Sequence, residues 1–323
     1  MMSASTRYRF ETLFLLVVYF FAGIVVYRIV DAWSLEWYLS CLTGVLVFYT
    51  LVCGGWPLSY PLGVPKLGVV MSAVFSLVGL AAAAYVIAMA VMWSGFEPYV
   101  YGVSLVAVVI AWGLGLEAWP LRHYHPINTV RVGAPVAVLS SILLMLLLHK
   151  FSTEFARLFV IIFLTVVFVF SPAACFQGYP FYRLWRQPRI GFSILFVGVV
   201  FATVATLSGF QGFSSILSAG LLSGIVFWIV VYSWGLLYPL VLGKRQPVRG
   251  VVTLALSTIT AAPWVYLLRM LEADPIDFNL LVLLPLYIVH NNFFMRKPFS
   301  RYVMPSMVLQ GQDSAEKLFG WRL

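Results

Sequence analysis

Few side chains in this sequence could do chemistry, and most stand alone in apolar surroundings. Glu117 lies in LGLEAWPL, one turn before a Trp-Pro pair. A carboxylate there could bind a proton or cation at the mouth of a membrane path, or pair with Arg122 or Arg131 at the interface. His290, Asn291 and Asn292, in YIVHNNFFMRKPF, form the most polar patch of any apolar run. Such a patch can be a substrate or proton site, or a hydrogen-bonding node between helices. Thr253, Ser257 and Thr260 recur on one helical face and could line a narrow, uncharged pathway, or act as packing glue. His123 and His125 have no cysteine or carboxylate at ligand spacing, so they read as loop residues and no metal is expected. Asp274 and Asp277 form a single DxxD with Pro275 inside it. That pattern is expected to cap a helix, with Asp277 as N-cap.

Other chemistries lack their residues. There is no phosphate-binding loop, no G-x-S-x-G, no HExxH and no helical His pair for haem. Cys41, Cys53 and Cys175 lie in or at the ends of apolar runs, which gives neither a disulfide framework nor a metal site. No cofactor is implied. An enzyme acting on lipid would have to combine Asp274 and Asp277 with Glu117 and His290, which are expected at opposite membrane faces.

These residues must be held by membrane helices. The chain of 323 residues is 62% hydrophobic and only 10% charged, with a mean hydropathy of +0.98. Ordinary soluble domains carry roughly 25% charged residues. Ten apolar runs, at roughly 11–30, 36–55, 67–93, 98–118, 132–149, 155–176, 190–208, 214–237, 250–271 and 277–294, approach the ~20 residues that a bilayer requires. The fold class is therefore an all-α polytopic membrane protein. The first run has no cleavage signature after it and is expected to be retained.

Basic residues favour one side of this arrangement. With the termini and the loops after even-numbered spans on one side, 16 of the 20 Lys+Arg fall there, including Arg7, Arg9, Arg183, Arg186, Lys244, Arg245, Arg296 and Lys297. Seven of the 11 acids fall on the other side. The positive-inside rule then places both termini in the cytoplasm, and the expected location is a prokaryotic plasma membrane. It also accounts for the net charge of +9 without nucleic acid.

One motif recurs five times. Trp56-Pro57, Trp119-Pro120, Tyr179-Pro180, Tyr238-Pro239 and Lys297-Pro298 are each followed by Leu or Phe. A second proline then follows at 65, 126, 188, 247 and 305, and Gly68, Gly133, Gly191 and Gly250 stand near the start of the next run. The first prolines lie 63, 60, 59 and 59 residues apart. This interval of about 60 residues fits a two-helix unit. Proline stops the even helix, the aromatic anchors it at the interface, and the basic cluster fixes the side. The expected plan is ten transmembrane helices as five tandem parallel hairpins, at about 11–66, 67–130, 131–189, 190–249 and 250–305, with a cytoplasmic tail at 306–323. A quasi-fivefold ring and a less regular bundle both satisfy it. Gly220-x-x-x-Gly224 marks a close-packing face.

Ten spans with little mass outside the membrane point to a channel or permease for a small anion or neutral solute, passive or weakly coupled. An aromatic content of 17% leaves room for a second reading, a membrane-embedded binding or scaffold subunit of a larger complex. The expected partners are the lipid bilayer, a small solute, and either copies of the same chain or other membrane subunits.

Overall fold

The structure is a computed structural model. It describes residues 4–51, 68–116, 126–150, 161–162, 164–169, 171, 175–176, 189–207, 216–233 and 247–290. Among them the regular structure is helical, with no strand. The helices are α1 (Ala4–Trp33), α2 (Glu36–Leu51), α3 (Gly68–Trp93) and α4 (Pro98–Val109, extended by a π-helical turn Ile110–Gly115). They continue as α5 (Pro126–Lys150), α6 (helical residues within 161–171), α7 (Arg189–Leu207), α8 (Ile216–Val231) and α9 (Val248–Met270). The last, α10, is a π-helical turn, Asp277–Leu283, running into an α-helical turn, Leu284–Ile288. Every expected apolar run coincides with a helix.

Four helical stretches are long and apolar enough to cross a membrane: Phe10–Trp33, Arg131–Lys150, Arg189–Leu207 and Val248–Met270. This agrees with an integral membrane protein. Shorter apolar stretches occupy Leu77–Trp93, Pro98–Gly113, Gly220–Val231 and Asp277–Ile288.

The described residues form two compact units. One contains α1 and the described residues of Leu148–Leu284; the other is built mainly from α2 to α5. In the first, α8 packs along α9 and against the π turn of α10. In the second, α2 packs on α4 and α3.

Burial divides the helices into two kinds. The exposed large hydrophobic side chains belong to α1, α3, α5, α7 and α9, with Leu271 just beyond. Each of these helices buries a narrow stripe at intervals of four residues: Leu15, Tyr19 and Gly23; Leu80, Ala84 and Ala88; Ala137, Ser141 and Met145; Ile194, Gly198 and Ala202; Thr253, Ser257 and Ala261. Four residues is close to one helical turn, so each stripe lies on one face. By contrast, α2, α4, α8 and α10 are buried over most of their described length. Apolar surface this extensive on the first set suits hydrocarbon rather than water.

Small residues permit the closest approaches. A Cβ on Gly102 of α4 would come within 2.5 Å of the Ser40 carbonyl carbon, and one on Gly44 within 2.9 Å of Leu105. Gly220 and Gly224 behave as their spacing predicts. Their Cβ positions lie 3.2 Å from Pro275 and 3.2 Å from Val265, respectively. The glycines of the recurring motif sit inside helices. Gly250 is the third residue of α9, and a Cβ there would collide with the Phe176 ring. The two second prolines among the described residues stand at helix starts. Pro126 opens α5 and Pro247 immediately precedes α9. Proline fits there because its fixed φ is already helical and its missing N–H would have no helical acceptor.

Widening Gly102 should therefore strain the α2–α4 contact directly. Gly102→Val is expected to lower stability by about 1–3 kcal/mol, the usual cost of overpacking. Gly95→Asn, at a left-handed residue with open space around it, should cost much less. Thermal unfolding of the purified protein in detergent checks the contrast; equal losses would contradict it.

Candidate functional site

The first unit contains a seam of polar side chains running along the contact of α8 with α9. It begins at Asn279 in the π turn of α10. Asn279 is fully buried. Its Oδ1 accepts from Trp264 Nε1 at 2.8 Å, and its Nδ2 donates to Ser223 Oγ at 3.1 Å. The Ser223 hydroxyl faces two carbonyls, Gly220 at 2.7 Å and Pro275 at 2.9 Å, and can donate to one at a time. One amide thus ties α8, α9 and α10 together. The π register has a local cause as well. Pro285 cannot donate to the carbonyl four residues earlier, and its ring crowds that carbonyl, so the helix before it widens.

Aromatic rings enclose this amide. Phe227 and Phe278 are among the most completely buried large side chains. Trp264 stacks on Phe227 at 6.1 Å and meets Phe20 and Trp228 edge-on at 5.2 and 5.7 Å. The Trp228 indole N–H is buried without a hydrogen-bond partner among the described residues.

The loop between α9 and α10 is fastened to α1. Arg28 donates to the Leu271 carbonyl at 2.8 Å, and the Asp274 backbone N–H donates to the Tyr27 hydroxyl at 2.9 Å. Asp274, not Asp277, caps α10. Its Oδ1 accepts from the N–H groups of Ile276 and Asp277 at 2.8 and 3.2 Å, and its carbonyl accepts from Phe278. The chain turns into the helix at Pro275, two residues earlier than expected, so the acid just before the proline is the one placed to cap.

Further along the seam, Tyr232 and Thr260 share a hydroxyl–hydroxyl bond of 2.9 Å, and Thr260 also donates to its own helix at Leu256. Thr253 and Ser257 are buried on α9, with Ser257 donating to the Thr253 carbonyl at 2.8 Å. At the start of α9 the seam ends at Ser233, Cys175 and Arg249. Ser233 and Cys175 are buried, and Arg249 is half-buried. The Ser233 hydroxyl lies beside the Cys175 thiol, and the Arg249 charge acts on that thiol. Even so, Ser233 Oγ completes no hydrogen bond of ordinary geometry among the described residues.

The structure thus brings Thr253, Ser257 and Thr260 together with residues that the sequence reading passed over: Ser223, Ser233, Trp264 and Asn279. Asn279 carried the clearest signal, a lone amide inside NLLVLLPLYIV. His290 is half-buried just beyond α10. Glu117, Asn291, Asn292, His123 and His125 lie outside the described residues. So do Trp56, Pro57, Trp119, Pro120, Tyr179, Pro180, Tyr238, Pro239 and Pro298 of the recurring motif. Among the described residues no three His, Cys, Asp or Glu side chains gather where a metal could be held.

The Asn279 node makes a testable demand. Asn279→Leu leaves the Trp264 indole N–H without its acceptor and is expected to cost about 1–2 kcal/mol. Ser223→Ala and Asn279→Ala should be non-additive in a double-mutant cycle, because they remove the same bond. Additive losses in thermal unfolding would show that the bond does not couple α8 to α10. No protein-family model matches this chain, and no curated protein or solved structure matches it either.

Proposed function

We propose that the chain is an integral membrane channel or permease for a small anion or neutral solute, passive or weakly coupled. One observation carries the reading: the polar groups of the α8–α9 seam that lack partners among the described residues, Trp228 Nε1–H and the Ser233 hydroxyl, can both donate hydrogen bonds. Arg249 adds a positive charge at one end. Between the Asp274 cap and Arg249, no carboxylate belongs to α8 or α9. A carboxylate-free seam with unpaired donors favours an anion or a carbonyl-bearing solute over a cation.

The five-hairpin plan belongs to the same proposal. Ile194, Gly198 and Ala202 on α7 lie 59 residues before Thr253, Ser257 and Ala261 on α9, and the prolines at 180 and 239 are also 59 apart. That common register supports tandem units with equivalent buried faces. By the distribution of basic residues, the Arg249 end is the cytoplasmic one.

The ring cluster of Phe20, Phe227, Trp228, Trp264 and Phe278 favours a second reading, a membrane-embedded scaffold subunit. Closely packed aromatics suit a fixed partner-bearing core better than a conduit. Reconstitution separates the two. Proteoliposomes should pass at least one of chloride, nitrate, formate, urea or glycerol faster than protein-free vesicles. Trp228→Phe, which removes a buried donor while keeping most of the ring volume, should slow anion flux about fivefold, equivalent to one hydrogen bond of ~1 kcal/mol. No flux of any of these solutes, together with co-purification of another membrane subunit in mild detergent, would replace the channel by the scaffold.

A further inference from the structure

We propose that Trp37, Tyr38 and Tyr85, with the Glu36 carboxylate beside them, bind a quaternary ammonium group. The site lies wholly within the second unit and does not rest on the channel reading.

The helix α2 opens on Glu-Trp-Tyr, so its first turn carries one carboxylate and two large rings. Tyr38 is fixed in place by donating its hydroxyl to the Ala81 carbonyl of α3 at 3.1 Å. Tyr85 follows Ala81 by about one turn of α3 and so lies on the same face. Its ring meets both rings of α2. Ring centroids are 5.9 Å apart for Trp37 and Tyr38, 6.5 Å for Trp37 and Tyr85, and 6.3 Å for Tyr38 and Tyr85. The planes cross at 64°, 50° and 66°, so no ring is stacked flat on another. Rings inclined in this way form the walls of a corner and leave ring faces uncovered by their neighbours. Exposure agrees: Trp37 and Tyr38 are half-buried, and Tyr85 is 52% exposed. Interfacial Trp and Tyr ordinarily anchor helices one by one. Here three converge on one point.

Charge completes the site. The faces of such rings carry negative potential and attract cations, most strongly at Trp. Glu36 immediately precedes Trp37, and Glu97 stands at the same end of the unit, since the next residue, Pro98, offers its carbonyl to Ser40 and Cys41 of α2. Glu97 makes no side-chain bond to the start of α4. Between Trp33 and Gly113 the only basic residue is Lys66, two residues before the opposite end of α3. No basic side chain of α2, α3 or α4 therefore competes for the position. The kind of cation follows from the donor set. A primary ammonium brings three N–H donors that need acceptors. Ring faces are poor acceptors, and the Tyr38 hydroxyl already serves Ala81. A methylated ammonium needs no acceptor, and its methyl groups spread the charge over the ring faces. A free solute such as choline and the headgroup of a choline phospholipid share this group.

The test titrates the full-length protein in detergent with choline chloride against sodium chloride at fixed ionic strength and follows the thermal midpoint. A saturable rise is expected, and tetramethylammonium should reproduce it. Tyr85→Leu should need about fivefold more choline for the same rise, the effect of one ring–cation contact. Tyr85→Phe keeps the ring and should stay within about twofold of the wild type. Glu36→Gln should need about threefold more choline, the effect of one partly exposed ion pair. Arg189→Gln, at the exposed start of α7, should leave the curve unchanged. Should Tyr85→Leu not fold, equilibrium dialysis of labelled tetramethylammonium against the wild-type protein gives a second readout: one site per chain, emptied by choline and not by sodium. Dihexanoylphosphatidylcholine below its micellar concentration separates the two sources. Saturation well below the choline range identifies a lipid headgroup, and saturation at or above that range identifies the free solute. A rise that never saturates, that sodium or ammonium produces equally, or that survives undiminished in Tyr85→Leu would overturn the site. None of these readouts depends on flux, so the site and the channel stand or fall separately.

Discussion

Hydrocarbon offers a helix nothing to bond with, and the rest of this structure follows from that constraint. Each backbone amide must be satisfied within its own segment, so the described chain is helical. The neighbours of a helix in lipid are held by close packing rather than by the expulsion of water. Hence the long helices present a narrow buried stripe and leave broad apolar faces open. Glycine, alanine and serine recur in those stripes because backbones can approach only where side chains are short. Gly102 against Ser40 and Gly250 against Phe176 are the extreme cases.

The same constraint divides the polar residues into two classes. Serine and threonine in these helices bond back to a carbonyl one turn earlier, as Thr43, Ser104, Ser141, Thr206, Ser257 and Thr260 all do. They are satisfied locally and place little demand on neighbouring helices. An amide or an indole cannot be satisfied that way, and must reach across. Asn279 reaches two helices at once, which makes it the point that fixes α10 against α8 and α9. The rings of Phe20, Phe227, Trp228 and Phe278 pack around its partner Trp264.

Much of this architecture was legible from the apolar runs alone. Each of the ten runs contains a helix among its described residues, and the Gly220–Gly224 face packs as its spacing implies. That legibility comes from local rules: run length, the period of the helix and the conformational limits of proline. Contacts between distant segments follow no local rule. Ser223 meets Pro275 and Asn279 across more than 50 residues, and Arg28 meets Leu271 across 243. Nothing in the period of either segment announces its partner. The Asp274 cap was missed for a smaller reason, a helix that starts two residues before the apolar run does. The polar stripe Thr253, Ser257 and Thr260 was visible, but its hydroxyls are largely engaged by their own helix. The seam's chemical character comes instead from Trp228 and Ser233, which read as ordinary residues in sequence.

The direction of that character narrows what the seam can do. Apart from the Ile259 carbonyl, which Pro263 leaves without its helical donor, the carbonyl oxygens of regular helix are already engaged, so a cation passing between α8 and α9 would depend mainly on side-chain acceptors. Those available are hydroxyls whose oxygens are crowded by their own i−4 bonds. Donors are different. The Trp228 indole N–H and the Arg249 guanidinium present hydrogen only, and the Ser233 hydroxyl can donate as well as accept. In a low-dielectric surrounding each is worth more than it would be in water. In the proposed channel, weak donors near one fixed charge would hold an anion without trapping it, which conduction requires. In the proposed channel the aromatic cluster is the place where passage would be resisted, because its Trp264 and Asn279 donors are already engaged, by Asn279 and by Ser223 respectively.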